Sequence, residues 1–218
     1  MLNTVELIEH AGSDEGIALS AWTSTSRELT DNKRQRIPSL LKFLAENHHE
    51  TPFEKSYLRF LVTCDMATHI HIIKHRIAVS VNGESARYKE LKDDKYYIPD
   101  DWPVWAQETL IAHTETSLNL YHYILNKLQD DGFSRKRAKE SARFFLPYNN
   151  QLTIDVSFNF RSFIHFLNLR NKPDAQLEIR EIAQKMLDLV RETGKFRYAL
   201  EAFGYDKQIL EEISAQKG

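Results

Sequence analysis

Apolar side chains recur every three or four residues along several stretches of the chain, which is the spacing of an amphipathic helix. The longest stretch runs from about residue 103 to about residue 130, and Gly132 follows it. Its apolar positions are Leu118, Tyr121, Leu125 and Leu128. The same spacing predicts further helices over residues 66–74, 135–145 and 161–170. Another helix is predicted from Ile37, Leu40, Leu41 and Leu44, and it ends near Asn47. A last helix, capped by Asp174, carries Leu177, Ile182, Met186 and Leu189.

Alternation of apolar and polar side chains predicts strands elsewhere. It is clearest over residues 153–160, where Ile154, Val156, Phe158 and Phe160 alternate with polar residues. Residues 57–64 are rich in apolar and aromatic side chains and are predicted to form a buried strand, and residues 17–22 a short one. This mixture predicts an α+β fold: a single domain over residues 1–218, with several helices packed around a small, mostly antiparallel sheet.

Composition excludes several classes of protein. A hydrophobic fraction of 42% in 218 residues is enough for a packed core. A net charge of -2 lacks the basic excess of a nucleic-acid coat, so no nucleic acid is expected as a partner. The single cysteine, Cys64, permits no internal disulfide and fits a reducing compartment. No apolar run approaches the ~20 residues of a membrane span and the first residues do not resemble a signal peptide, so we expect the cytoplasm and no membrane.

The densest cluster of charge lies in residues 74–88. Burying such charges without an anionic partner would cost on the order of several kcal/mol in lost hydration free energy. A solvated basic loop is the alternative, but apolar residues interleave the charges and Gly83 predicts a bend, which favours the floor of an anion pocket. Arg87 is the first candidate for a phosphate because guanidinium pairs bidentately with phosphate oxygens, and Ser85 and the Ala86 amide add neutral donors.

The same residues resemble the signature of the flavin-dependent thymidylate synthases, which reads Arg-His-Arg, seven residues, then Ser, followed closely by Arg-Tyr. Here Lys74 begins the run and eight residues separate Arg76 from Ser85. Two more blocks match the family in order. Residues 49–54 resemble its His-x-Thr/Ser-Pro-Phe-Glu block, and residues 159–170 resemble its Asn-x-Arg-Ser-x-x-Asn-Phe-x-x-x-Arg segment, with His165 in place of Asn.

The resemblance implies an activity and a set of partners. Members convert dUMP to dTMP with FAD, taking a one-carbon unit from methylenetetrahydrofolate and reducing equivalents from NADPH. They are homotetramers with shared active sites, and they need no cysteine nucleophile. We therefore expect a homotetrameric methyltransferase of this kind.

Site residues follow from the same resemblance, position by position. Arg170 is expected to be catalytic, as a fixed cation that stabilises negative charge on the uracil ring. His49 would line the folate or nicotinamide side. The expected dUMP contacts are His71, Glu84, Ser85, Ala86, Arg87, Arg143 and Arg170. The expected FAD contacts are Thr51, Glu54, Lys74, His75, Arg76, Asn159 and His165.

Three other functions remain open from the residues. The extra residue before Ser85 and the change at His165 suggest a related flavoenzyme that modifies another deoxypyrimidine nucleotide, for example by hydroxymethylation. A catalytically silent protein that binds nucleotide or nucleic acid would keep the same motifs. A metal hydrolase would need ligands among His48, His49, His69 and His71, but we assign no metal, since His69 and His71 point apart on a helix and no Asp or Cys joins them.

Overall fold

The computed structural model describes residues 2–85 and 95–205, so the predicted contacts Ala86 and Arg87 lie outside the described residues. Within them the strands are β1 (Thr4–Ala11), β2 (Tyr57–Asp65), β3 (Val79–Gly83) and β4 (Gln151–Phe158). The helices are α1 (Asp14–Ala21), α2 (Asp31–Glu46), α3 (Met66–Ile73), α4 (Val104–Asp130), α5 (Arg135–Ala142), α6 (Phe160–Arg170), α7 (Leu177–Glu192) and α8 (Arg197–Ala202). Short 3₁₀ turns cover Trp22–Ser24, Thr51–Glu54 and Arg143–Phe145.

The four strands form one antiparallel sheet in the order β1-β2-β4-β3, which confirms the predicted α+β class. In β2, the residues Leu58, Phe60, Val62 and Cys64 are fully buried and alternate with partly exposed neighbours, as the sequence pattern predicted. β4 shows the same alternation up to Phe158. Phe160, predicted as its last residue, instead begins α6, because the Asn159 side chain accepts a hydrogen bond from the Ser162 amide and caps a helix there.

The chain divides into two compact units. Unit 1 comprises Met1–Val5, Leu61–His75 and Val81–Asp155, and unit 2 comprises Glu6–Phe60, Arg76–Ser80 and Val156–Gly218. In unit 1, α4 and α5 pack through Tyr121, Leu125, Ala138 and Ala142. The aromatic core of unit 2 stacks the rings of Phe53, Phe160 and Phe196. The prediction of a single domain stays a prediction.

The predicted strand over residues 17–22 is wrong, because these residues lie mostly in α1. Ser13 caps this helix by accepting a hydrogen bond from the Gly16 amide. Asp14 then accepts hydrogen bonds from the amides of Tyr198 and Ala199, both at 2.8 Å, at the start of α8. A helix distant in sequence thus stabilises α1, and the local pattern of apolar and polar residues does not reveal this contact.

Three elements, β1, β3 and α8, were missed, and the start of α7 was misplaced. β1 is mostly exposed, so it has no clear apolar alternation, and the short helix α8 was not predicted. β3 was not predicted as a strand, and it ends at Gly83, where the sequence predicted a bend. α7 begins at Leu177 without a side-chain cap, so the predicted cap by Asp174 is wrong. The remaining predicted helices correspond to α2, α3, α4, α5 and α6.

Candidate active site

A cavity of about 360 Å³ lies in unit 1 beside α3, and we call it the α3 cavity. Its volume is within the range of small-molecule sites. Its apolar wall consists of Met66, Ile70, Leu146, Pro147 and Leu152, and its polar lining of His69, Glu84, Ser85, Arg143, Tyr148 and Asn150. An apolar wall facing a cation and a hydroxyl suits a ligand with a flat ring and an anionic group.

Three of the predicted dUMP contacts meet in this cavity. Glu84 and Ser85 directly follow β3, and Arg143 begins the 3₁₀ turn after α5. Glu84 is anchored to β4: its amide donates to the Thr153 carbonyl at 2.9 Å, and its carboxylate accepts from the Thr153 amide at 3.0 Å. The sheet therefore fixes the position from which the Ser85 hydroxyl reaches the cavity.

Buried hydrogen bonds fix the start of α3. Asp65 caps the helix, accepting from the Thr68 amide at 2.9 Å through Oδ1 and from the Asn3 side chain at 3.2 Å through Oδ2. Asn3 in turn accepts from the Gln151 side chain at 2.9 Å. Asp65, Asn3 and Gln151 are all buried, so the helix begins in one fixed orientation.

Sequence reasoning missed His69 as a residue of this cavity. His69 lies on the same face of α3 as Met66 and Ile70, at the spacing of one helical turn. The predicted contact His71 lies about 200° further around the helix and is not among the residues that line the cavity. Burial lowers the pKa of His69 below its ordinary value of 6.5, so its imidazole is neutral at pH 7.

A second cavity, of about 430 Å³, lies in unit 2 beside α6, and we call it the α6 cavity. The Arg161 guanidinium bridges two carboxylates in its wall: Nε donates to Glu50 at 2.8 Å and Nη1 to Glu54 at 2.7 Å. The hydrogen bond to Glu54 is the main cause of a raised Arg161 pKa. Arg161, His165 and Asn168 follow one another at helical spacing along α6, and all three line this cavity.

The backbone beside the α6 cavity is held in an unusual conformation. Ala78 has a φ of +55°, in the left-handed region that residues with a Cβ rarely adopt. The Ser162 hydroxyl lies 3.0 Å from the Ala78 carbonyl oxygen, within donating distance, and Ser162 is the residue whose amide Asn159 caps. Ala78 and the 90% exposed Ile77 both line the cavity, so a strained turn presents an apolar side chain there.

The other predicted contacts lie as follows. Among the expected flavin residues, Glu54, Asn159 and His165 line the α6 cavity, whereas Thr51 is exposed in the preceding 3₁₀ turn. His49 is exposed and its ring meets Phe43 edge-on at 6.2 Å. Arg170, at the end of α6, is partly exposed and lines neither cavity. Lys74 and Arg76 are exposed on either side of the buried His75, and none of the three lines the α3 or the α6 cavity.

Cys64 lines neither the α3 cavity nor the α6 cavity. Its side chain is fully buried in β2. Burial raises the pKa of the thiol to about 12, and the neighbouring Asp65 adds to the rise. A thiol rather than a thiolate is therefore present at neutral pH, and Cys64 is unsuited to act as a nucleophile.

Two further features of the described residues concern function. Over residues 2–85 and 95–205, no group of three or more His, Cys, Asp or Glu side chains is arranged to hold a metal ion. No helix in the described part of the chain is both long enough and apolar enough to cross a membrane.

Comparison with known proteins gives one family. Residues 6–193 match the family described as "Thymidylate synthase complementing protein". A flavin-dependent thymidylate synthase from Tropheryma whipplei is 33% identical over 77% of this chain and 75% of its own length. One from Pseudothermotoga lettingae is 27% identical over 96% of this chain and 95% of its own length.

Among solved structures, the UMP/dUMP methylase PolB from Streptomyces cacaoi, bound to 5-bromo-dUMP, superposes with a TM-score of 0.74. It is 27% identical, and the match covers 92% of this chain and 94% of PolB. The likeness thus extends over nearly the full length of both chains.

Proposed function

This chain belongs to the thymidylate synthase complementing protein family, and we propose that it converts dUMP to dTMP with a bound flavin. One observation carries the proposal: the α3 cavity brings Ser85 and Arg143, far apart in sequence, together with an apolar wall. A phosphate needs the cation and the hydroxyl, and a pyrimidine ring suits the wall. The enzymes named above as relatives support this choice of substrate.

In the proposed site, Ser85 and Arg143 hold the phosphate, and Ala86 and Arg87 complete its binding. Arg143 supplies a planar pair of donors and Ser85 a neutral one. Glu84, fixed by Thr153, accepts hydrogen bonds from the nucleotide. We assign Arg170 to the uracil ring, where a fixed cation would stabilise negative charge that develops on the base, and His71 to the same nucleotide.

The α6 cavity is the proposed flavin site. Its lining suits the cofactor, since Asn159 and His165 provide polar groups and Ile77 provides an exposed apolar side chain. Thr51, Glu54, Lys74, His75 and Arg76 are the further residues that we assign to FAD. FAD would supply hydride-transfer chemistry, by which the one-carbon unit on the base would be reduced to a methyl group.

The remaining roles concern the two co-substrates. We propose methylenetetrahydrofolate as the one-carbon donor and NADPH as the reductant, with His49 on their side of the flavin. Because Cys64 is buried as a thiol, the base would be activated without a cysteine adduct. The buried free thiol also suits the cytoplasm, which we propose as the location.

An absorbance spectrum of the purified protein tests the redox part of the proposal. Flavin bands that bleach when NADPH is added without oxygen, in the presence of dUMP, are the expected result. Product analysis with dUMP and methylenetetrahydrofolate should then give dTMP. A hydroxymethylated product, or a reaction with dCMP instead, would replace methylation by the related flavoenzyme activity, and a protein that binds no flavin would be a silent nucleotide binder.

A second candidate is methylation of UMP. It is favoured by the similarity to PolB, which is described as a UMP/dUMP methylase at 27% identity. Rates with UMP and dUMP, measured at equal concentrations, distinguish the two. We expect dUMP to react faster, and a preference for UMP would establish the second candidate.

We also propose a homotetramer. α4 exposes Trp105 (71%) and Tyr123 (61%), which lie 18 residues, or about five turns, apart on one face. Aromatic side chains are enriched in protein–protein interfaces, which supports assembly through this face.

A further inference from the structure

His69 is a polar residue of the α3 cavity to which the proposed function gives no role. It lies on the cavity-facing side of α3, between the apolar Met66 and Ile70. Within the described residues, the Nδ1 atom of this ring is buried and has no hydrogen-bond partner. Buried polar atoms without a partner are rare in folded proteins, so the unpaired Nδ1 bears on where the ring carries its proton.

The burial of Nδ1 decides which ring nitrogen can meet a ligand. Because Nδ1 is buried while His69 as a whole is partly exposed and lines the cavity, we infer that Nε2 is the ring nitrogen that faces the cavity. A buried N–H without an acceptor is rarer than a buried acceptor without a donor. We therefore assign the proton to Nε2, which makes His69 a neutral donor directed at the cavity.

The neighbours of His69 indicate which part of a ligand it would meet. Arg143 and Ser85 already supply a cation and a hydroxyl for an anionic group. Burial keeps the His69 ring neutral, so it adds no charge for a phosphate. A neutral donor beside Met66 and Ile70 suits an uncharged oxygen instead, such as a carbonyl of a pyrimidine or an oxygen of the sugar.

We propose that His69 is a substrate-binding residue that donates a hydrogen bond from Nε2 to an uncharged oxygen of the nucleotide in the α3 cavity. This inference rests on the proposed function, because it takes the ligand to be a pyrimidine nucleotide. It adds a residue of α3 to the nucleotide site that differs from the predicted contact His71. It also explains why a polar ring is kept at a position that otherwise belongs to an apolar helix face.

The test compares three variants of the flavin-loaded protein by calorimetric titration with dUMP. His69→Phe keeps a ring but removes the donor, and we expect dUMP to bind about five- to tenfold more weakly, the effect of one neutral hydrogen bond. His69→Gln places an amide nitrogen close to the position of Nε2 and should restore most of the affinity. His113→Phe, on the exposed surface of α4, is the matched control and should bind dUMP like the wild type.

Two smaller ligands locate the oxygen. If His69→Phe binds dUMP more weakly than the wild type but binds 2-deoxyribose 5-phosphate equally well, the contact is to the base. If the variant binds both of these ligands more weakly but binds inorganic phosphate equally well, the contact is to the sugar. Either result supports the proposal. An equal loss with inorganic phosphate, or unchanged dUMP binding in His69→Phe, overturns it.

A spectroscopic measurement on the wild-type protein keeps the test independent of how the variants fold. The ¹⁵N resonances of His69 should report a neutral ring protonated at Nε2, and they should shift on addition of dUMP. Resonances that do not respond to saturating dUMP would refute the contact. Wild-type protein that binds no dUMP at all would instead refute the proposed function, so the two failures are distinguishable.

Discussion

At the scale of single residues, Cys64 shows how burial determines reactivity. Its folded pKa of about 12 lies above the ordinary value of 9.0 because burial penalises the thiolate. The unfolded chain therefore loses the thiol proton first as pH rises. The stabilising effect of the protonated thiol is complete below about pH 9 and is lost as the pH approaches 12.

We predict that Ellman's reagent labels native Cys64 many times more slowly than the unfolded chain. Because the side chain is fully buried, labelling requires opening of the fold. Between pH 9 and pH 11, Cys64→Ala should lose less stability than the wild type, as measured by urea unfolding. Rapid labelling in native buffer would contradict both the burial and the raised pKa.

Arg161 is the second residue with a specific prediction. The Arg161→Lys variant keeps the charge but cannot bridge Glu50 and Glu54, because an ammonium lacks the planar fork. The pair is half exposed, so the free energy of unfolding should change by less than about 1 kcal/mol. Flavin affinity should fall about tenfold, which corresponds to about 1.4 kcal/mol, because the wall of the α6 cavity is rearranged.

The control for this prediction is another arginine of unit 2. Arg34 pairs with Glu15 at 2.6 Å on the surface, and neither residue lines the α6 cavity. Arg34→Lys should leave flavin affinity unchanged in a fluorescence titration. Equal losses in the two variants would mean that the effect of Arg161→Lys does not arise in the cavity.

At the scale of elements, α3 depends on one buried cap. Asp65→Ala removes the acceptor for Thr68 and leaves the Asn3 amide without its partner. We predict a loss of about 2–3 kcal/mol in the free energy of unfolding, the sum of a lost cap and an unsatisfied buried donor. Asp65→Asn should cost less, since its amide oxygen can still cap the helix.

Ser134 provides a comparison for this prediction, because it caps α5 at an exposed position. Ser134→Ala should cost about 1 kcal/mol or less, since water can replace the lost acceptor. Chemical denaturation of both variants measures the difference. Similar costs for Asp65→Ala and Ser134→Ala would show that the buried bond to Asn3 adds nothing.

At the scale of the whole molecule, we predict an assembly of four chains. Light scattering should give four times the mass of one chain, and the double variant Trp105→Lys with Tyr123→Lys should shift this mass downward. A lysine buried at an interface without an acidic partner is costly. The two substitutions should therefore weaken the interface between chains by roughly several kcal/mol. Ser39→Lys, on the exposed surface of α2, is the control and should keep the wild-type mass.

The sequence by itself determined the elements with strong local patterns and the family. The apolar spacing of Leu118, Tyr121 and Leu125 predicted α4, and the alternation in β2 and β4 predicted two central strands. These elements were predictable because each buries a face that repeats along the chain. The three motif blocks indicated the family, which the match over residues 6–193 confirms.

Only the tertiary structure decided which side chains meet. Helical spacing groups His69 with Met66 and Ile70, but it does not say that this face of α3, rather than the face of His71, lines a cavity. Asp14 supports a helix because the distant amides of α8 reach it, and Arg161 bridges two glutamates that lie more than a hundred residues earlier. Such contacts depend on how distant segments pack, and a local pattern carries no information about a partner that lies far away in the chain.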